Sequence, residues 1–188
     1  GRNAGTALTT GVGNVAIGHE ALFTEDTTGN NVAIGFRALK NQNASADAYN
    51  VAIGYTAGQY VTTGIRNTVV GGLAGDVLTQ GIRNTAIGYL ALSGEDTGNR
   101  NTAVGHAALN SLNFSGDGHN VAIGNDAGVS INTGVQNTIL GSDAGDALTT
   151  GSNNIIIGYE AAASAVDVSN EVTIGNSSIT NVRIPSDS

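Results

Sequence analysis

The five residues Asn84-Thr85-Ala86-Ile87-Gly88 belong to a motif that occurs, with small changes, nine times along the chain. Its copies begin at nearly constant steps, at Asn14, Asn31, Asn50, Asn67, Asn84, Asn101, Asn120, Asn137 and Asn154. A tenth and weaker copy starts at Glu171, one ordinary step after Asn154. A fixed period of this length is the sequence signature of a solenoid, in which each repeat forms one coil stacked on the last. We therefore expect an all-β solenoid of about ten coils, with roughly 17–19 residues in each coil.

Composition restricts the classes of function. The 188 residues include 28 Gly and no Cys, and the net charge is −8. The absence of Cys excludes disulfides and Cys-ligated metal. A strongly acidic chain is repelled by nucleic acid and by anionic membrane surfaces, so we expect neither as a partner. No apolar run approaches the length of a membrane-spanning helix, and no membrane insertion is predicted. The chain does not begin with Met and enters its array in mid-repeat, which we expect of a fragment or a processed product.

Each motif is predicted to form a short strand whose side chains alternate between two faces. The Ile column, to which Ile87 belongs, is expected to fill the interior of its own coil. The Ala column would then lie on the opposite face, and a strand that is apolar on both faces needs cover on both sides. Small side chains allow close approach, so we expect a homotrimer or another homo-oligomer. The candidate interface residues are Ala16, Ala33, Ala52, Ala86, Ala103 and Ala122.

The array divides the chain into two parts. Residues 1–162 form the repeat array, and residues 163–188 are predicted to add a final coil and a connector strand, in which Ile179, Val182 and Ile184 alternate, leading to a further domain. The two longer steps of the array place their extra residues in the loops 40–49 and 110–119. Loops on a rigid scaffold often carry recognition. These loops, with Phe114 in the second, are therefore candidate contact sites, although a loop that only caps the coil fits equally well.

The motif Asn-Val-Ala-Ile-Gly, present in nearly this form throughout residues 1–162, resembles the YadA-like head repeat of trimeric autotransporter adhesins. That resemblance implies a left-handed parallel β-roll in which three chains associate side by side. The period in this chain is somewhat longer than that of the adhesin heads, so longer turns are expected here. Similar Asn-Thr-Ala-Ile-Gly repeats occur in bacteriophage tail-fibre proteins.

The C-terminal stretch from Glu171 to Ile184 resembles the strand that leads into the self-cleaving intramolecular chaperone of phage fibres. In that family a cleavage motif with a Ser nucleophile and a Lys base follows. Ser186-Asp187-Ser188 would be its beginning, but the Lys lies beyond the sequence and no cleavage activity is assigned. This stretch favours a phage tail fibre over a bacterial adhesin.

Two columns of side chains are candidate ligand-binding sites. Aromatic and imidazole rings follow the motif Gly in six repeats, at His19, Phe36, Tyr55, Tyr89, His106 and Tyr159. Exposed rings at coil spacing could stack on sugars, whereas the alternative is packing between subunits or over the coil edge. Arg66, Arg83 and Arg100 end three successive repeats and could bind anionic glycans. The alternative is a set of surface salt bridges with Asp76, Glu95 and Asp96.

No constellation in the sequence indicates an enzyme. The three His residues lack metal-ligand spacing, and no Ser-His-Asp order or facing pair of acids stands out. We therefore expect no metal, no cofactor and no catalytic residues. The predicted function is that of a structural and adhesive segment of a trimeric phage tail fibre, located in the virion or otherwise at a cell surface, that contacts a cell-surface glycan or protein receptor. The alternatives are the head of a bacterial adhesin and a rigid spacer without a ligand.

Overall fold

The computed structural model describes residues 1–25 and 27–183, and every regular element within them is a β-strand. The strands are short and follow the motif. They are β1 (Val15–Ile17), β2 (Val32–Ile34), β3 (Val51–Ile53), β4 (Thr68–Val70), β5 (Thr85–Ile87), β6 (Gly98–Asn99), β7 (Thr102–Val104), β8 (Gly116–Asp117), β9 (Val121–Ile123), β10 (Thr138–Leu140), β11 (Ile155–Ile157) and β12 (Val172–Ile174). The predicted all-β class is confirmed.

Ten of these strands form one parallel sheet in the order β1-β2-β3-β4-β5-β7-β9-β10-β11-β12. Each motif lies in register on the next, as where Ala86 pairs with Ala103. The chain is thus a parallel β-solenoid, as predicted, and its ten stacked strands enclose about nine turns. The structure forms no strand at residues 179–183, where a connector was predicted. Ile184 and Ser186-Asp187-Ser188 lie outside the described residues.

The wall opposite the sheet consists of turns whose backbone groups bond from coil to coil. The amide of Leu92 donates to the carbonyl of Ala108 at 3.0 Å, and the amide of Gly145 donates to that of Ala161 at 2.8 Å. The residue after the buried Ala of this wall has positive φ in eight successive coils, where pairs of Leu and pairs of Gly alternate. Gly adopts this conformation without strain. In a Leu residue this conformation is strained, and burial of the side chain offsets the strain. The four Leu residues concerned are fully buried: Leu22, Leu39, Leu92 and Leu109.

The orientation of the strands differs from the prediction. The Ala column points into the coil and not toward a neighbouring chain: Ala33, Ala52, Ala86, Ala103 and Ala122 have no exposed surface, and Ala16 packs partly buried on the same core. The interior is thin and must also hold the side chains of the opposite wall, so a small residue fits on the strand. Where the inward residue is larger, as at Val69 and Ile139, the opposite wall carries Gly75 and Gly145 beside it.

The motif Asn residues form a buried ladder along the stack. The Asn84 amide donates to Oδ1 of Asn67 at 2.9 Å, and Oδ1 of Asn84 accepts from the amide of Asn101 at 2.9 Å. Nδ2 of Asn84 donates to the carbonyl of Gly98 at 2.8 Å. Each side chain therefore closes the turn of its own coil and also bonds to a neighbouring coil, and almost all of these residues are buried.

Replacing Asn84 by Ala should lower the free energy of unfolding by about 2 kcal/mol, because the amide of Asn101 and the carbonyl of Gly98 lose their partners in a buried site. Urea unfolding followed by circular dichroism measures this loss. Asn132→Ala is the matched control, because Asn132 is exposed, has no left-handed backbone conformation and makes no side-chain hydrogen bond among the described residues. Equal losses in the two variants would contradict the ladder's role.

Candidate functional site

The most unusual surface of the chain is the outward side of the ten-stranded sheet. Since the middle residue of each strand points inward, the first and third point outward, and together they form what we call the outward face. Many of its large apolar side chains are substantially exposed: Val15, Ile17, Ile53, Ile87, Ile123, Leu140, Ile155, Val172 and Ile174. Ten strands at about 4.8 Å spacing make this face roughly 40 Å long and about 10 Å wide. Contiguous apolar surface of this extent marks an interaction site.

Two columns border the outward face. The leading edge is the residue immediately before each motif Asn, and the trailing edge is the residue immediately after each motif Gly. The leading edge contains Arg66, Arg83 and Arg100, and the trailing edge contains the aromatic column. Leading-edge residues have positive φ, for instance 62° at Arg66 and 60° at Arg83. The chain therefore bends sharply at this border, and the predicted site residues lie at the margins of one flat strip.

The trailing edge forms two stacks of rings. His19 stacks on Phe36 with ring centroids 5.3 Å apart, and Phe36 stacks on Tyr55 at 5.2 Å. Tyr89 and His106 form the second stack at 5.8 Å. Gly72 occupies the coil between Tyr55 and Tyr89, so one ring is missing there. The predicted column is thus brought together in two groups with a vacant position between them.

Tyr159 stands apart from both stacks. Asn125 and Ser142 separate it from His106, and its side chain is exposed. A hydrogen bond with Glu160 raises the pKa of the Tyr159 hydroxyl. Tyr159 therefore shares the trailing edge with the other rings without joining their stacks.

The arginines of the leading edge differ in their partners. Arg100 forms an ion pair with Asp117 one coil away. Within the described part of the chain, Arg66 and Arg83 have no carboxylate at ion-pair distance, and both side chains are exposed. Of the three expected acidic neighbours, Asp96 bonds to Thr79 and Glu95 is buried on backbone amides. The third, Asp76, forms no ion pair with a described residue. The guanidinium groups of Arg66 and Arg83, at equivalent positions of successive coils, therefore have no ion-pair partner among the described residues.

The loops with the extra residues fold back onto the stack. In the second loop, β8 pairs with β6 of the preceding coil. Phe114 is half-buried and packs against the core cluster, and Leu112 is fully buried. In the first loop Ala44 and Ala48 are buried. The capping interpretation of these loops is the one that the packing favours, and Phe114 lies against the core and not at a projecting tip.

Glu95 is a fully buried acid in the coil interior. Its Oε1 accepts the amide hydrogen of Gly98 at 2.6 Å, and Oε2 accepts that of Phe114 at 3.4 Å. Burial raises the pKa of the Glu95 carboxyl above its ordinary value of 4.5, and the amide bonds oppose this only in part. Gln42 is also fully buried at the start of the first loop, so the coil interior accommodates an amide of this size.

Glu95→Gln should make the thermal stability of the chain less dependent on pH between 4.5 and neutrality, because a Gln amide has no carboxyl proton to bind or release. Because the raised pKa means that the folded chain holds the Glu95 proton more tightly than the unfolded chain, stability from this group falls as pH rises above 4.5. The melting temperature of the unchanged chain should therefore rise relative to that of Glu95→Gln as pH is lowered from neutrality toward 4.5. A difference that stays constant over this range would contradict the assignment.

Metal-ligating clusters and membrane-spanning helices are both absent from the described residues. Across residues 1–25 and 27–183 no group of three His, Asp or Glu side chains is arranged to hold a metal ion. The same residues contain no helix long and apolar enough to cross a membrane. The outward face and its edges remain the surface on which a function can be argued.

Comparison with known proteins gives no relative. The chain matches no protein-family model, no curated protein and no solved structure.

Proposed function

We propose that this chain is a non-enzymatic segment of a trimeric, rod-shaped fibre, in which three solenoids associate through their outward faces around a common axis. The observation that carries the proposal is the unbroken column of Ile, Val and Leu at the third strand position, exposed or half-buried in every coil, on a strip roughly 40 Å long. Parallel sheets are normally covered on both faces. Here one face is covered by the chain's own opposite wall, and a second copy covers the other.

The repeat itself supports association of identical chains. Every coil presents the same two outward positions, so a partner with the same spacing between coils meets apolar side chains at each level. A second copy of this chain has the same spacing between coils, because it has the same repeats. A closed arrangement around an axis buries all outward faces at once and leaves no open end for further addition. The resemblance of the motif to trimeric adhesin heads, which are left-handed rolls, supports three as the number of chains.

The fibre is proposed to belong to a bacteriophage tail and to lie in the virion, where it contacts a glycan or protein receptor on the host surface. This step rests on the resemblance of the repeats and of residues 171–184 to phage fibres. Threefold repetition multiplies weak contacts into avidity. Glycan-array and whole-cell binding by the trimer test it. Binding to no host cell and no glycan would leave a rigid spacer.

Ile87→Glu tests the assembly. Ile87 is 38% exposed in the single chain, so a carboxylate there is hydrated in the monomer but unpaired and buried in the trimer. We expect a folded monomer by circular dichroism and light scattering. Tyr60→Glu is the matched control, because Tyr60 is also exposed but lies on a turn away from the sheet, and it should remain trimeric. A trimer that is unaffected by Ile87→Glu would contradict the proposed interface.

A further inference from the structure

The two edges of the outward face are complementary in shape at one level of the stack. In the fourth coil the leading edge carries Arg66, a long side chain, and the trailing edge carries Gly72, which has none. The coils before and after it carry Tyr55 and Tyr89 on the trailing edge, 59% and 51% exposed. The vacant position therefore lies between two aromatic rings, at the same height as an arginine on the opposite border.

Within one chain these edges cannot meet. Arg66 and Gly72 flank β4 on opposite sides, and the intervening chain, where extended, spans about 20 Å. Their side chains therefore stand at opposite margins of the strip. Arg66 is exposed and open to contact with another chain, because no carboxylate of the described residues lies at ion-pair distance from it.

A threefold arrangement brings the two margins together. Three flat faces around an axis form a triangular prism, and each corner joins the leading edge of one face to the trailing edge of the next. Strands of a solenoid run across its axis, so residues at the same coil number meet at the same height. Arg66 of one chain thus arrives at Gly72 of its neighbour, with Tyr55 below and Tyr89 above.

Chemistry and space both fit this contact. A guanidinium group is planar and stacks on aromatic faces. The chain already uses the same contact internally, where the Arg37 guanidinium lies 4.9 Å from the centre of the Phe36 ring. Successive rings of the trailing edge stand 5.2 and 5.3 Å apart where the column is complete, so one omitted ring leaves room for one planar group.

Inclusion of the edges also increases the area that each chain buries in the trimer. The apolar strip alone covers roughly 400 Å² of each chain, from its length and the width of a three-residue strand. The two borders about double the width and bring the area buried on each chain to roughly 800 Å², shared between its two neighbours, so that a whole trimer buries about 2,400 Å². A second copy is therefore a better occupant for these edges than a solvent-facing ligand.

We propose that the trimer is held in register by a stacked contact in which Arg66 of each chain inserts between Tyr55 and Tyr89 of the next chain, above Gly72. This inference rests on the proposed trimer and adds to it the pairing of edges and the level at which they pair. The slot would accordingly be closed in the assembled fibre, and receptor contacts would lie elsewhere.

Site-directed cross-linking tests the pairing in a chain that has no Cys of its own. We would prepare Arg66→Cys together with Gly72→Cys and treat the protein with a bis-maleimide that has a two-carbon spacer. A Cβ at Gly72 makes only an ordinary contact with the Tyr89 ring at 3.4 Å, so the substitution fits. The control combines Arg66→Cys with Ser142→Cys, which lies on the same edge four coils away, about 19 Å along the stack.

The expected result is a covalent trimer in denaturing gels for the first variant and none for the control. A trimer by sedimentation that yields no covalent trimer, or yields it equally in both variants, would overturn the edge pairing while leaving the proposed function standing. In that case Tyr55 and Tyr89 would remain open to a sugar ring. A monomer in sedimentation would overturn the proposed function and this inference together.

A pair of variants without thiols checks the same contact by affinity. Arg66→Ala should raise the concentration at which the trimer half-dissociates by about tenfold or more, because each trimer loses three stacked contacts. Arg100→Ala should change it by less than about threefold, since Asp117 of the same chain already holds that guanidinium. Equal effects of the two variants would contradict a special role of Arg66.

Discussion

Replacing Ala86 by Glu is expected to abolish folding of the chain. Ala86 has no exposed surface and lies in the thin interior between the sheet and the opposite wall. A carboxylate placed there has no described basic partner and no room, so the cost combines overpacking with burial of an unpaired charge. We expect a loss above about 5 kcal/mol, comparable with the whole stability of many domains. Loss of the β-sheet signal in circular dichroism would show it.

The neighbouring Ile87→Glu is the control, because it introduces the same charge one residue along the same strand. It should keep the β-sheet signal while losing the assembly. If instead Ala86→Glu folded as a monomer and Ile87→Glu unfolded, the inward and outward positions would be reversed. The two variants thus distinguish the strand orientation that the structure shows from the one that the motif first suggested.

Gly88→Ala is the second substitution expected to have a large effect. Gly88 has φ of +136°, which is accessible essentially only to Gly, and a Cβ there would clash with the carbonyl oxygen of Gly105 in the next coil. The same close approach recurs along the stack, so the coil cannot shift away locally. We expect a loss of about 4 kcal/mol from strain and overpacking together. Chemical unfolding of the purified variant measures it.

Gly72→Ala is the matched control for the glycine effect. Gly72 directly follows Gly71, the motif Gly of the coil before that of Gly88. Its φ is not in the left-handed region, and an added Cβ meets only the Tyr89 ring at ordinary van der Waals distance. It should change the stability of the single chain by less than about 1 kcal/mol. A similar loss at both positions would show that a general cost of replacing Gly, and not the close approach of coils, sets the effect at Gly88.

The solenoid could be predicted because its evidence lies in the sequence period. The motif Asn residues recur at nearly constant steps, which set the succession of coils and the register of the sheet, and the structure confirms this stacking. The inward residue of the strand was not predicted correctly, because Ala86 and Ile87 are both apolar and hydrophobicity alone does not choose between them. The volume available inside the coil decides, and it depends on the opposite wall.

One signal in the sequence points to the correct orientation. Asn84 and Ala86 are two residues apart, so their side chains leave the strand on the same side. An Asn in every coil that bonds backbone groups of two coils must point inward, and Ala86 then does so as well. The partners of Arg66 and Arg83 could not be predicted in the same way. Two of the acids expected beside them, Asp96 and Glu95, bond elsewhere in the folded coil.

The most direct test of the proposed trimer is a measurement of the mass of the unchanged protein in solution. Sedimentation equilibrium over a dilution series from micromolar concentrations should give three times the chain mass of 18.7 kDa. This result is expected because the outward face is too long and too apolar to remain in water. A folded protein that sediments as a single chain at every concentration would contradict the fibre, its interface and the contact of Arg66 with the next chain.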